Sequence, residues 1–163
     1  MKATPYIIVG IAALIVLAMI PSQASAAEIF AITDQIVPQF ESFSAHPYWD
    51  EKRYSWGYGT PAPGATGTIT REQALVEMRA HRRADYDYLR PLITRMLNAK
   101  QWAAYLSFAY NEGDGNADNL VDDINAGDDA VLEVHWKKYI YAGGVVKSYL
   151  IDRRNKEWQL WIS

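Results

Sequence analysis

The chain has 163 residues, half of them hydrophobic, with 16 Lys and Arg against 19 Asp and Glu and no cysteine. That length suits one well-buried core and is too short for two ordinary domains. The acidic balance runs against nucleic acid as a partner, and the lack of cysteine excludes disulfides and thiolate chemistry.

The N-terminus carries the compartment signal. Met1-Lys2 is followed by an uninterrupted apolar run from Tyr6 to Ile20, then Pro21 and the small-residue stretch Ser22-Gln23-Ala24-Ser25-Ala26-Ala27. Residues 1–26 read as a secretory signal cut after Ala26, or as a signal-anchor left uncut, since the run is a little short of the roughly 20 residues that span a bilayer. On either reading an export machinery and a membrane are partners of residues 1–26. Residues 27–163 are then the working domain, exported across that membrane.

From Glu28 the residues Ile29, Ile32, Ile36, Val37 and Phe40 recur at helical spacing, so a helix is expected to deliver Glu41 from its last turn. Pro38 removes a backbone donor and is expected to end or kink that helix near Val37. Past Pro47 comes a strand-like run in which Tyr54, Trp56 and Tyr58 alternate with Ser55, Gly57 and Gly59. One face is aromatic and packs; the other is bare, beside the carboxylates of Glu41 and Asp50, where a bulky polymer can come close. If residues 51 to 54 connect the two arms of this ribbon, Asp50 and Ser55 are directly opposed.

Residues 61–69 form a Pro/Gly loop, and Thr70 with Gln73 reads as a capping box opening a helix of about 20 residues that Pro91 ends. His81-Arg82-Arg83 is assigned to its solvated face. Asn98 and Gln101 cap the next helix, where Trp102, Tyr105, Leu106 and Phe108 with three alanines cover every side; such a helix is buried and central. Asn116 to Asn125 reads as a short helix stopped by Gly127, and Asp128 to Tyr141 as another stopped by Gly143-Gly144, with Trp136 and Tyr139 in the core. Ser148 to Ile162 reads as a terminal helix with Tyr149, Leu150, Trp158 and Trp161 on its apolar side. The fold class is α+β: mostly helical, with a hairpin in a small lobe, a larger helical lobe and a cleft between them.

Several motifs carry no chemistry. Gly57-Tyr58-Gly59-Thr60 lacks the helix start that a dinucleotide fingerprint requires. Asp114, Asn116 and Asp118 begin like a calcium loop, yet Asn119 and Asn125 stand where its glycine and bidentate glutamate belong. His46, His81 and His135 are too scattered for a zinc site. No metal or cofactor is called for.

Taken alone, Glu41 and Asp50 read equally well as a helix-end charge and a turn residue. Glu41, Asp50, Ser55 and then Gly57-Tyr58-Gly59-Thr60, however, resemble the active-site signature of the phage-type lysozymes, glycoside hydrolase family 24. Three later stretches agree in order: Ser107-Phe108-Ala109-Tyr110-Asn111-Glu112-Gly113, Ala142-Gly143-Gly144, and Arg153-Arg154 with Glu157. The likeness spans roughly residues 28–161. It departs from the commoner pattern in placing a serine four residues after the aspartate, where the family has a threonine after five.

The resemblance implies a lysozyme-like fold and a monomeric muramidase that cleaves the β-1,4 bond between N-acetylmuramic acid and N-acetylglucosamine in bacterial peptidoglycan, for host lysis or wall penetration. It implies Glu41 as acid, Asp50 as base, and Ser55 as a holder of the attacking water. Gly57, Gly59, Thr60 and Asn111 are implied on the substrate side, and one of Arg153 and Arg154 is expected to reach back to Glu41. Two other readings stand beside it: a lytic transglycosylase, and a non-catalytic wall-binding virion component.

Overall fold

The computed structural model describes residues 24–50 and 53–163. The segment read as signal or anchor therefore lies outside the described residues except for its last three positions. Helix α1 (Ala26–Phe40) opens on a capping box in which Ser25 and Glu28 satisfy each other's backbone N–H groups. Ile29, Thr33 and Val37, four residues apart, form its buried stripe. The helix runs three residues beyond Val37, through Pro38 to Phe40, and the Glu41 N–H still donates to the Val37 carbonyl at 3.2 Å. A proline this late in the helix forfeits one bond, and the burial of Val37 holds the turn in place.

Strands β1 (Ser44–Asp50), β2 (Arg53–Gly57) and β3 (Thr60–Pro61) form an antiparallel sheet in that order. The sheet leans on helix α2 (Arg71–Leu89), whose Thr70–Gln73 capping box is formed as expected. Helix α3 (Ala99–Glu112), capped by Asn98 and Gln101, is buried at every position from Trp102 to Tyr110 and is the hub of the molecule.

The single helix expected over 116–125 is two short ones, α4 (Asp114–Asp118) and α5 (Val121–Ala126), closed by Gly127 in the left-handed region. Helix α6 (Asp129–Trp136) stops five residues earlier than expected, because Tyr141–Ala142 (β4) and Val145–Val146 (β5) pair across the glycines between them. Helix α7 (Ser148–Trp161) buries Leu150, Trp158 and Trp161 but leaves Tyr149 largely exposed, a correction to the assigned face.

Two clusters of buried side chains define the lobes. The larger surrounds α3, where Trp136 meets Phe108, Trp158 and Trp161 at ring separations of 4.9, 6.1 and 5.6 Å. The smaller joins Val37, Tyr58, Ile69, Ala74, Met78 and Tyr110 beneath the sheet. Arg82 corrects another expectation: it is fully buried on α2 and pairs with Asp34 of α1, so the His81-Arg82-Arg83 run is solvated only in part.

Candidate active site

Glu41 is the C-cap of α1, where the backbone turns extended and carries the side chain out of the helix. The carboxylate is 21% exposed, and its Oε1 accepts a hydrogen bond of 2.6 Å from Arg153 Nη1. Its other oxygen faces Gly59: a Cβ built there would lie 3.5 Å from Oε2. Gly59 also holds a φ of +87°, so it both permits the turn after β2 and keeps this side of Glu41 clear.

Arg153 is itself set by a buried anchor on its own helix. Glu157, fully buried, accepts from Arg153 Nε at 3.0 Å, from Ser107 Oγ at 2.8 Å and from Trp136 Nε1 at 3.2 Å, and it also engages Arg154. Arg153 Nη2 meanwhile donates to the Ser107 carbonyl, and its guanidinium lies over the Phe40 ring. The two arginines divide their work. Arg153 reaches Glu41, while Arg154 donates to Glu112 Oε1 at 3.0 Å and Asn111 Oδ1 at 2.8 Å. Asn111, exposed at the cleft, is thereby fixed with its amide nitrogen left unused by Arg154.

Asp50 ends β1 and is exposed. The register corrects the expected four-residue connection: Asp50 pairs with Arg53, Trp49 with Tyr54, and Tyr48 with Ser55. A shift of two residues preserves side-chain parity, so Asp50 and Ser55 still share a face, as diagonal neighbours. Ser55 is fully buried, and its Oγ has no hydrogen-bond partner among the described residues. The aromatic face is not packed throughout, since Tyr54 stands largely exposed with its ring 5.4 Å from that of Trp49.

The bare-face reading also changes for two substrate-side candidates. Gly57 is pressed on α2, where an added Cβ would come within 2.8 Å of the Ala74 Cβ. Thr60 is buried and donates its hydroxyl to Glu77 Oε2 at 3.1 Å, beside the Trp56 indole at 2.7 Å. Both brace the sheet against α2. Tyr48 was not singled out from the sequence. It sits two residues before Asp50 on the same face, and its phenol pKa is raised by burial first and then by the charges of Asp50 and Glu41. The period-two spacing from Asp50 was the available signal.

A cleft of about 620 Å³ opens from Asp50 and Arg53 past Asn111 to Tyr141 and Tyr149. Along its wall, burial and then the charge of Asp114 raise the Asp85 pKa to about 7, and burial followed by the charge of Arg53 lowers that of His81.

The sequence profile described as phage lysozyme matches residues 38–157, a span holding Glu41, Asp50, Ser55 and both arginines. The chain belongs to the phage lysozyme family. It is 30% identical over 129 residues to an endolysin of Bacillus phage PZA, covering 77% of this chain and 49% of that protein. It thus spans about half the length of that curated relative. In fold it is similar to the muramidase domain of SpmX from Asticaccaulis excentricus, with a TM-score of 0.74 at 21% identity over 86% of this chain and 98% of that one. A second likeness is to an endolysin from Escherichia coli O157:H7 phage FAHEc1, with a TM-score of 0.69 at 22% identity over 88% and 95% of the two chains. The lysozyme-like α+β fold is shared. Among the described residues of this family member no helix is long and apolar enough to cross a membrane, and no group of three His, Asp or Glu side chains is placed to hold a metal ion.

Proposed function

We propose that this member of the phage lysozyme family is a muramidase that hydrolyses the β-1,4 bond between N-acetylmuramic acid and N-acetylglucosamine in bacterial peptidoglycan. The observation that carries the proposal is the asymmetric setting of Glu41, with Oε1 tied to Arg153 and Oε2 turned to the Gly59 side, and with an exposed Asp50 whose charge acts on Tyr48 together with that of Glu41. Glu41 protonates the leaving glycosidic oxygen from Oε2, and Asp50 takes a proton from water attacking the opposite face of the sugar, with inversion. Ser55, on the Asp50 face with an unpaired hydroxyl, orients that water. Asn111 and Gly59 line the substrate side. The enzyme works as a monomer on the cell wall, reached by export through residues 1–26, in host lysis or wall penetration.

General acid catalysis contributes about 10²–10⁴-fold. Glu41→Gln should therefore lower the rate of turbidity loss on purified peptidoglycan at least that far while the circular dichroism spectrum is unchanged; near-normal rates from the folded variant would overturn the mechanism. Mass spectrometry of the digest should show reducing ends. Anhydro ends would instead identify a lytic transglycosylase, which needs no base at Asp50.

A further inference from the structure

Asp50 and Arg53 are directly opposed at the end of the β1–β2 ladder, and opposed residues of an antiparallel pair share one face of the sheet. Both are exposed, and both line the cleft. Opposite charges so placed ordinarily pair, yet among the described residues Arg53 forms no ion pair with Asp50 or with any other carboxylate. Its charge is felt further in. It opposes the rise that burial, Asp50 and Glu41 cause in the Tyr48 phenol pKa, and after burial it is the largest cause of the lowered pKa of His81 on α2. The guanidinium thus acts across the cleft, between the sheet and α2.

Neighbouring arginines are committed elsewhere. Arg153 is bound to Glu41 and Glu157, and Arg154 to Glu112 and Glu157. Arg82 is fully buried behind the wall, where it pairs with Asp34 and its charge also acts on Asp85. The wall carboxylates of Glu112 and Asp85 are therefore offset from behind by Arg154 and Arg82. Among the described residues that line the cleft, Arg53 is the single Lys or Arg, and it is offered to what enters.

A guanidinium carries five N–H donors in a planar fork and no acceptor, so its complement is a carboxylate, held by two parallel bonds. In the mechanism above, Asp50 activates water against the anomeric carbon of N-acetylmuramic acid, and in the alternating strand that sugar alone bears the peptide. Its carboxylates come within reach of Arg53. An N-acetylglucosamine in the same place would bring no anion.

We propose that Arg53 binds a carboxylate of the peptide borne by N-acetylmuramic acid, and so sets which of the two alternating sugars lies at Asp50. This inference rests on the reading of the protein as a peptidoglycan muramidase, and it adds a residue that tells one sugar from the other.

The test uses the full chain on one wall preparation, freed of phosphodiester polymers and divided in two, with the peptide carboxylates of one half converted to amides. Amidation removes the charge and nearly keeps the size. The wild type should show a KM about three- to tenfold higher on the amidated wall at similar kcat, the scale of a charge-assisted contact at a partly solvated site. That difference should shrink as salt is raised. Arg53→Gln should show the higher KM on both walls, and Arg53→Lys, which keeps the charge without the fork, an intermediate one. Arg83→Gln, which removes an exposed charge of α2 paired with Asp87, should behave as the wild type does. Equal wild-type KM values on the two walls, with digestion proceeding, would overturn the contact and leave the muramidase reading standing. So would an Arg53→Gln protein that lost kcat at unchanged KM, which would make Arg53 a partner of Asp50 alone. A preference seen only on wall that retains its phosphodiester polymers would give the contact to those polymers and overturn the peptide assignment. Failure to digest either wall would overturn the muramidase reading itself. The wild-type comparison needs no variant, so a misfolded Arg53→Gln protein leaves the test decisive.

Discussion

At the scale of single residues, the candidate site depends on polar atoms that the protein leaves unpaired. Ser55 Oγ is buried without a partner among the described residues, and an unsatisfied buried hydroxyl costs about 1–3 kcal/mol. Ser55→Ala should therefore leave thermal stability unchanged or higher while kcat on peptidoglycan falls about tenfold or more. A variant with full activity would assign the hydroxyl no part in the reaction. Asp85 gives a pH signature of opposite sign to that of a salt-bridged carboxylate. Its folded pKa of about 7 lies above the unfolded value near 3.8, so the native state holds this proton more tightly. Its contribution is thus fully present below about 3.8 and is lost as pH rises through 7, on the order of 4 kcal/mol across the window. Asp85→Asn should flatten that slope in urea unfolding and raise stability at pH 8; an unchanged slope would mean that the carboxyl titrates normally.

Among the elements, α1 matters most, because its two ends serve different purposes. Its C-terminus presents Glu41, and its N-terminus is closed by the Ser25–Glu28 box, with Ala24 packed against the main core. A cut after Ala26 would remove Ser25. Losing an N-cap costs about 0.5–2 kcal/mol, so Ser25→Ala should lower the unfolding free energy by about 1 kcal/mol. A chain begun at Ala27 should show at least that loss relative to one begun at Ala24, read from denaturation midpoints. Identical midpoints would show that the box contributes nothing. The helix passes Pro38 for a reason local to this element: a proline in the last turn loses one bond, which tertiary packing of Val37 outweighs.

For the molecule as a whole, Glu157 is the tie. It joins α7 to α3 through Ser107 and to α6 through Trp136, and through Arg153 it sets the carboxylate at the end of α1. Removing one partner of a buried ion cluster leaves charge uncompensated and costs about 3–5 kcal/mol. Glu157→Gln should lose stability on that scale and, where still folded, lose activity through a displaced Arg153. The exposed pair Arg83–Asp87 is the contrast, since both side chains are 57% exposed and such a pair is worth about 0–1 kcal/mol. Equal stability losses in Glu157→Gln and Asp87→Asn would remove the distinction.

Local rules determined much of this protein. Capping boxes at Thr70–Gln73 and Asn98–Gln101, the all-round apolar helix from Trp102 and the stop at Gly127 are signals within a few residues, and each stands where its residues put it. Glu41, Asp50 and Ser55 were legible as candidates, through the family resemblance that their spacing and the ordered motifs after them carry. Long-range pairing decided what spacing could not. The register that opposes Tyr48, and not Asp50, to Ser55 depends on how the whole ribbon closes over α2, and Gly57 and Thr60 belong to α2 for the same reason. Arg82 reads as a surface charge in any window of its own helix, yet it is buried because Asp34, forty-eight residues earlier, meets it there. Arg153 and Arg154 are adjacent in sequence and equivalent in kind. Successive side chains on a helix diverge by about 100°, and only the packing of α7 on α3 decides which of them faces Glu41.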